Sequence, residues 1–423
     1  MKSLLYWKKE KGENNLVGVL RKYESLVGKG DINEIISLAD ELGPLKIHHI
    51  NSTREGGGVA EILNCTIPIY KDLGFDVTWD VIQGNKEFFE ITKKFHNVLH
   101  GENIPITTKM TDKYLHIAKV NSNILDDDMD FLIVHDPQPL PLIMFKKKTK
   151  TKCIWRCHID ATMGDKRLIG FLRQFIDMYE CSMYHLPDYT FGSFNEEYIV
   201  APAIDPFNDK NKELTPKQIK AELDKYDIDT SIPIVLQVSR FDTLKDPIGV
   251  ISAFKIVHEM GTPAQLILAG GTATDDPWGE RVYNNVLKKA KVNRDIHILH
   301  SPSDLTINAL QRAATVVVQK SIREGFGLVV TEAMWKGKPV VGGNVGGIRR
   351  QIIHGENGFL VNTVDGTAYR IQQLLSNPIL AKKMGNEAKQ SVLTNYLVPT
   401  LVRNWLLLFL SLQHPGKKGV IHL

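Results

Sequence analysis

The chain alternates short apolar runs with longer segments whose apolar positions recur at helical spacing. KIHHIN, FDVTWDVIQ, FLIVHD, CIWRCHID, CSMYH and YIVAP are the runs of the first half. Between them lie amphipathic stretches such as GGVAEILNCTIPIYKDLG and the segment from about Phe88 to Leu99. Most runs are apolar throughout, as suits strands covered on both faces by helices. Strand-helix-strand order of this kind predicts one parallel sheet. APAIDPFNDKNKELTP, dense in proline and charge, interrupts the pattern and reads as a linker. A second series then begins with PIVLQVS, QLILAG, DIHILH, TVVVQKS and KPVVGG. The expected fold class is α/β, with two doubly wound Rossmann-like domains at 1–202 and 203–396. GENGFLV predicts a turn and a strand, and the chain beyond it is helical to about Leu412.

Length and composition narrow the function classes. A chain of 423 residues exceeds one ordinary core, so a ligand is expected in a cleft between two domains. Hydrophobic residues at 43% and charged residues at 24% exclude disorder on a large scale. The net charge of +4 is spread along the chain apart from Lys146 to Lys152, so no nucleic-acid partner is expected. The KKKTKTK run reads as a solvated loop. Four cysteines make no disulfide framework and fit a cytoplasmic setting. Cys153 and Cys157, four apart on a strand, stand about 13 Å from each other, so they do not share a zinc ion with His158. Neither MKSLLYWKKEKG nor LLLFLSL is long enough for a signal peptide or a membrane span, so no membrane partner is expected.

The stretch TVVVQKSIREGFGLVVTEAMWKGKPVV carries the clearest chemistry. It reads as a buried strand, a loop from Arg323 to Gly327 and a helix opening near Leu328. Ligands of open α/β sheets bind beyond the carboxyl ends of strands, where glycines admit a phosphate to a helix start. Gly325 and Gly327 supply that access. Glu324 and Glu332 can reach different parts of one extended ligand, although a single Glu is usually a solvated residue. In QVSRFDTLKDP, Arg240 and Lys245 follow a strand and can grip a diphosphate as charge builds on it. In NSTREGGGVAEI, Gly56, Gly57 and Gly58 precede a helix. G-x-G-x-x-G is absent and no acidic residue ends the second strand, which disfavours NAD.

The spacing of Glu324 and Glu332 resembles the E-x7-E signature of retaining GT-B glycosyltransferases of the family-four type. In that pattern an Arg and a Lys hold the donor phosphates, a role the resemblance carries to Arg240 and Lys245. Asp246-Pro247 departs from the pattern, in which glycine is common after the Lys. HINSTREGGGVAEIL, FFEITKKFHNVLHG, VHDPQPL, WRCHID, PAIDP and SIREGFGLVVTEAMWKGKPVV are similar to the trehalose-forming branch of that family, over nearly the whole chain. The resemblance implies a GT-B architecture whose last helix, about 397–423, returns to the first domain. It implies a donor site at Gly57, Gly58, Arg240, Lys245, Gly325, Phe326, Gly327, Leu328 and Glu332, with Glu324 orienting the glucose. It further implies an acceptor pocket at Asp136, Gln138, Arg156 and His158, with His158 near the reacting carbon. Read from the residues alone, His158 is equally a structural histidine, and Asp136 is equally a helix cap.

The implied reaction joins a nucleoside diphosphate glucose to free glucose, reversibly and with the α configuration kept. Catalysis falls to Glu324, His158, Arg240 and Lys245. The co-substrate is the nucleotide sugar; no cofactor is required, and Mg2+ is compatible but not implied. A homodimer is allowed. Phosphorolysis through glucose 1-phosphate, and a non-catalytic sugar-binding role, stay open at this stage.

Overall fold

The structure, a computed structural model, describes residues 18–55, 57–271, 277–291, 293–413 and 420–422. The chain forms two compact units. Unit 1 holds the residues up to Pro202 and the segment from Val398 onward; unit 2 runs from Ala203 to Leu397.

In unit 1 the strands are β1 (Lys46–Asn51), β2 (Asp76–Val81), β3 (Phe131–His135), β4 (Lys152–Arg156), β5 (Cys181–Tyr184) and β6 (Glu196–Ile199). A short strand, Val420–His422, pairs with β6. All pairings are parallel, and the order from that edge is β6-β5-β4-β3-β1-β2. The order reverses between β1 and β3, the place where such sheets leave a crevice beyond their strand ends. β3 is buried along its whole length, which is why it reads as an unbroken apolar run.

Helices α1 (Lys29–Leu42), α2 (Gly57–Asp72), α3 (Lys86–Leu99), α4 (Thr108–Val120) and α5 (Lys166–Ile176) belong to this unit. α3 shows how the sequence makes them. The Asn85 side chain accepts from Phe88 N at 3.0 Å, and Phe88, Ile91, Phe95, Val98 and Leu99 form one buried stripe. The helix Val398–Gln413 packs into the same unit: Phe409 meets Phe131 at 4.4 Å between centroids, and Arg403 pairs with Glu34 at 2.7 Å. No helix among the described residues is long and apolar enough to cross a membrane.

In unit 2 the strands are β7 (Ile234–Val238), β8 (Gln265–Gly270), β9 (Ile296–His300), β10 (Val316–Gln319), β11 (Val340–Gly343) and β12 (Gly358–Val361). Their order is β12-β11-β10-β7-β8-β9, again parallel, so the reversal falls between β7 and β10. The helices that matter for the site are α6 (Pro247–Glu259), α7 (Asp304–Ala313) and α8 (Leu328–Trp335).

Two expectations from the sequence change. The stretch 203–215 is packed into unit 2. Its carbonyls accept from buried side chains: Arg312 and Trp335 donate to Asn211 O at 3.1 and 3.2 Å, and Asn308 to Asp209 O at 2.9 Å. Proline and charge therefore mark irregular backbone that is pinned by side chains of α7 and α8. Lys146, expected in a solvated loop, is buried and paired with Asp127 at 2.9 Å. Its neighbour Lys147 reaches the same carboxylate from solvent at 2.8 Å. Cys153, Cys157 and Cys181 are buried free thiols, and Cys65 is partly exposed.

Candidate functional site

In unit 2, the loops beyond β7 and β10 meet at the point of reversal. Lys245 ends a single helical turn, Thr243–Lys245, that follows β7. Glu324 lies in the loop that follows β10. Lys245 Nζ donates to both Glu324 oxygens, at 2.8 and 2.7 Å, with both side chains largely buried. Ser321 Oγ donates to the same carboxylate at 3.0 Å, and Gln319 Nε2 stands 3.5 Å from it. Gln237 holds the loop from below by donating to Lys245 O at 2.8 Å. The result is a cation and a carboxylate locked together. Arg240 is exposed, with Asp242 3.9 Å away, so its guanidinium faces solvent.

The departure at Asp246 has a local explanation. Asp246 takes the left-handed conformation, φ 49°, which glycine favours and aspartate tolerates. Its carboxylate then caps α6 by accepting from Gly249 N at 3.0 Å and pairs with Lys320. Asp246 therefore keeps the turn that glycine would make and adds a cap.

Glu324, Gly325, Phe326 and Gly327 lead directly into α8. Gly327, at φ 84°, caps this helix and brings no side chain to its first-turn N–H groups. The positive end of the helix dipole is thus presented beside Lys245 and Glu324, an arrangement suited to an anion. Phe326 is buried, and Gln351 Nε2 donates to its carbonyl at 2.7 Å. Glu332 is buried inside α8. One turn later Lys336 donates to Glu332 O at 3.2 Å and to Asn211 Oδ1 at 2.9 Å. Burial lowers the Lys336 pKa, against the raising effect of the Glu332 charge.

In unit 1, α2 opens at Gly57, whose φ is 80°; Gly57 and Gly58 are exposed at its start, and Gly56 lies outside the described residues. Beyond β3, Asp136 also takes a left-handed conformation, φ 65°. Its Oδ1 accepts from His158 N at 2.7 Å, and its N–H donates to Arg156 O at 2.8 Å, so it ties the end of β3 to the end of β4. Burial pushes its carboxyl up to about 7, although the His158 N–H and the Arg156 guanidinium both pull it down. Gln138 is half-buried, and its Oε1 has no partner among the described residues.

Arg156 is buried. It donates to Val200 O at 3.1 Å, contacts Met183 Sδ and lies 5.7 Å from the Trp405 ring, and burial lowers its pKa to about 10. Its guanidinium is therefore engaged inside the unit. His158 is half-buried, and both of its ring nitrogens approach other histidines: Nε2 stands 3.1 Å from His135 Nδ1, and Nδ1 3.3 Å from His185 Nε2. Burial, then the Arg156 charge, holds His158 well below the usual histidine pKa.

The sequence reading singled out neither His49, His185, Gln319 nor Ser321. For His185, Gln319 and Ser321 the trace was a polar residue at or just beyond the end of an apolar strand, and for His49 a polar position inside β1, but only the register shows which of them meet. No group of three or more His, Cys, Asp or Glu among the described residues is placed to hold a metal ion.

This geometry agrees with what known proteins show. Residues 218–391 match the family described as glycosyl transferases group 1, and residues 49–191 match the trehalose synthase N-terminal domain. The fold is similar to that of a UDP-forming α,α-trehalose-phosphate synthase from Burkholderia xenovorans, solved with glucose 6-phosphate, at TM-score 0.70 and 13% identity over 86% of this chain and 100% of that one. Two doubly wound units with a phosphate-suited helix start define a GT-B glycosyltransferase. The chain is also 41% identical, over 92% of its length and 95% of the relative's, to a trehalose synthase from Pyrococcus horikoshii. It belongs to the trehalose synthase family, and is a trehalose-related hexosyltransferase. A trehalose phosphorylase from Pleurotus pulmonarius is 27% identical over 90% of this chain and 59% of that protein.

Proposed function

We propose that the protein transfers glucose from a nucleoside diphosphate glucose to free glucose, forming trehalose reversibly with the α configuration kept. The observation that carries this reading is the Lys245–Glu324 pair beside the glycine-capped start of α8. In the reaction, Lys245, Arg240 and the first-turn N–H groups of α8 meet the departing diphosphate, whose charge grows as the glycosidic bond breaks. Gly325, Phe326 and Leu328 frame that anion, and Gly57 and Gly58 let backbone approach the donor in unit 1. Glu324, held by Lys245 and Ser321, orients the donor glucose through its hydroxyls, and Glu332 serves the ribose. Asp136, Gln138 and Arg156 build the acceptor pocket, the first and last by shaping the ends of β3 and β4, and His158 lies near the reacting carbon. Substitution takes place on the face that the leaving phosphate occupies. The protein works on small sugars in the cytoplasm, with no cofactor beyond its co-substrate.

The test is direct. Purified protein is incubated with glucose and, in separate reactions, UDP-glucose, ADP-glucose, GDP-glucose or glucose 1-phosphate, and both the disaccharide and the released anion are identified. Trehalose with a nucleoside diphosphate supports the reading. Trehalose from glucose 1-phosphate alone replaces it with phosphorolysis, and sugar binding without turnover removes the enzyme.

A further inference from the structure

Four histidines of unit 1 stand in one row. His49 Nδ1 lies 3.1 Å from His135 Nε2, His135 Nδ1 lies 3.1 Å from His158 Nε2, and His158 Nδ1 lies 3.3 Å from His185 Nε2. The parallel register makes this possible. His49 pairs with Ile133, so His135, two residues on, faces the same side of the sheet one step further toward the strand ends. His135 pairs with Arg156, which sets His158 two residues on in the same way, and Arg156 with Met183, which sets His185 opposite His158. The row thus runs across β1, β3, β4 and β5 at their carboxyl ends. His49, His135 and His185 are buried.

Each neutral imidazole has one N–H and one lone pair. Three direct nitrogen-to-nitrogen hydrogen bonds in a row then require every ring to point its proton the same way. One orientation uses Nδ1–H throughout and the other Nε2–H throughout. The row therefore has a single polarity, whichever end its protons point toward. Burial and the Arg156 charge keep His135 and His158 neutral, as burial does for His49. At the inner end, His49 Nε2 hydrogen-bonds to no group among the described residues, so the row does not conduct protons; it sets orientation.

We propose that His49, His135 and His185 are positioning residues for His158, a row of single polarity that holds its ring in place as one tautomer. The inference rests on the reading that His158 lies at the sugar-transfer site. It predicts that the ring contributes a fixed shape and dipole there, with both nitrogens already engaged, and does not exchange protons with substrate.

The experiment uses the full chain labelled with 15N-histidine. Long-range 15N–1H spectra of the protein without substrate should show all four rings neutral at pH 7.5 with the proton on the same nitrogen, Nδ1 or Nε2, in every ring. In His135→Phe the His158 ring should relax to a tautomer mixture, and kcat for trehalose formation should fall about tenfold or more with KM for the nucleotide sugar unchanged. His185→Gln, at the outer end, gives the same readout if His135→Phe does not fold. A tautomer mixture at His158 or rings of opposite polarity in the wild type, or an unchanged His158 signal in a folded variant, overturns the proposal. Wild-type protein that makes no trehalose refutes the functional reading alone, since the spectra are recorded without substrate.

Discussion

Replacing Asp136 by Asn isolates one charge at a backbone position few residues tolerate. The Asp136 carboxyl is pushed up to about 7 by burial, from an unfolded value of 3.8. Between those values the folded protein binds more protons than the unfolded chain, so stability falls as pH rises through this window. A rise from 3.8 to about 7 sets a ceiling of about 4 kcal/mol for the loss. Asn carries no charge at any pH, accommodates a φ of 65° and keeps an oxygen for the His158 N–H. Asp136→Asn should therefore match the wild type near pH 3 and exceed it by about 2 to 4 kcal/mol at pH 8. Urea denaturation followed by tryptophan fluorescence, to which Trp155 and Trp405 of unit 1 contribute, measures both proteins across that range. Parallel pH profiles for the two proteins would refute the reasoning, because they would mean that the carboxylate is solvated and ionises without cost.

Other changes test the remaining parts of the site. Glu324→Gln removes the charge that Lys245 and Ser321 hold, and should cut transfer about a hundredfold or more while nucleotide binding stays equal or tightens; near-normal turnover removes Glu324 from the mechanism. Lys245→Met should raise KM for the nucleotide sugar about tenfold or more, because a cation beside the diphosphate is lost, and an unchanged KM places the phosphates elsewhere. Gly347→Ala would set a Cβ 2.3 Å from Phe326 Cα and 2.6 Å from its carbonyl oxygen. That contact should destabilise unit 2 by about 1 to 3 kcal/mol and loosen the 325–327 loop, and wild-type denaturation with wild-type nucleotide affinity would contradict it.

Much of the fold was legible because strands buried on both faces leave unbroken apolar runs. TVVVQKS and FLIVHD became β10 and β3 with little change. Glu324, Lys245 and Gly327 were legible for a related reason, since the loops after such strands are where these sheets bind ligands. Lys146 and the 203–215 segment were misread because charge and proline report composition, whereas burial depends on Asp127 and on side chains of α7 and α8 that are distant in sequence.

By itself, then, the sequence determined the α/β class, the two doubly wound series and the residues gathered at the Glu324 loop, all of which follow from periodicity and local turn chemistry. Only the tertiary structure decided that Lys245 locks Glu324 across 79 positions and that Arg156 turns inward. It alone brought His49, His135, His158 and His185 into one row. Those facts depend on strand order and register, which bring side chains within 3 Å or so of one another across the sheet, and no local pattern of apolar and polar positions encodes such a meeting.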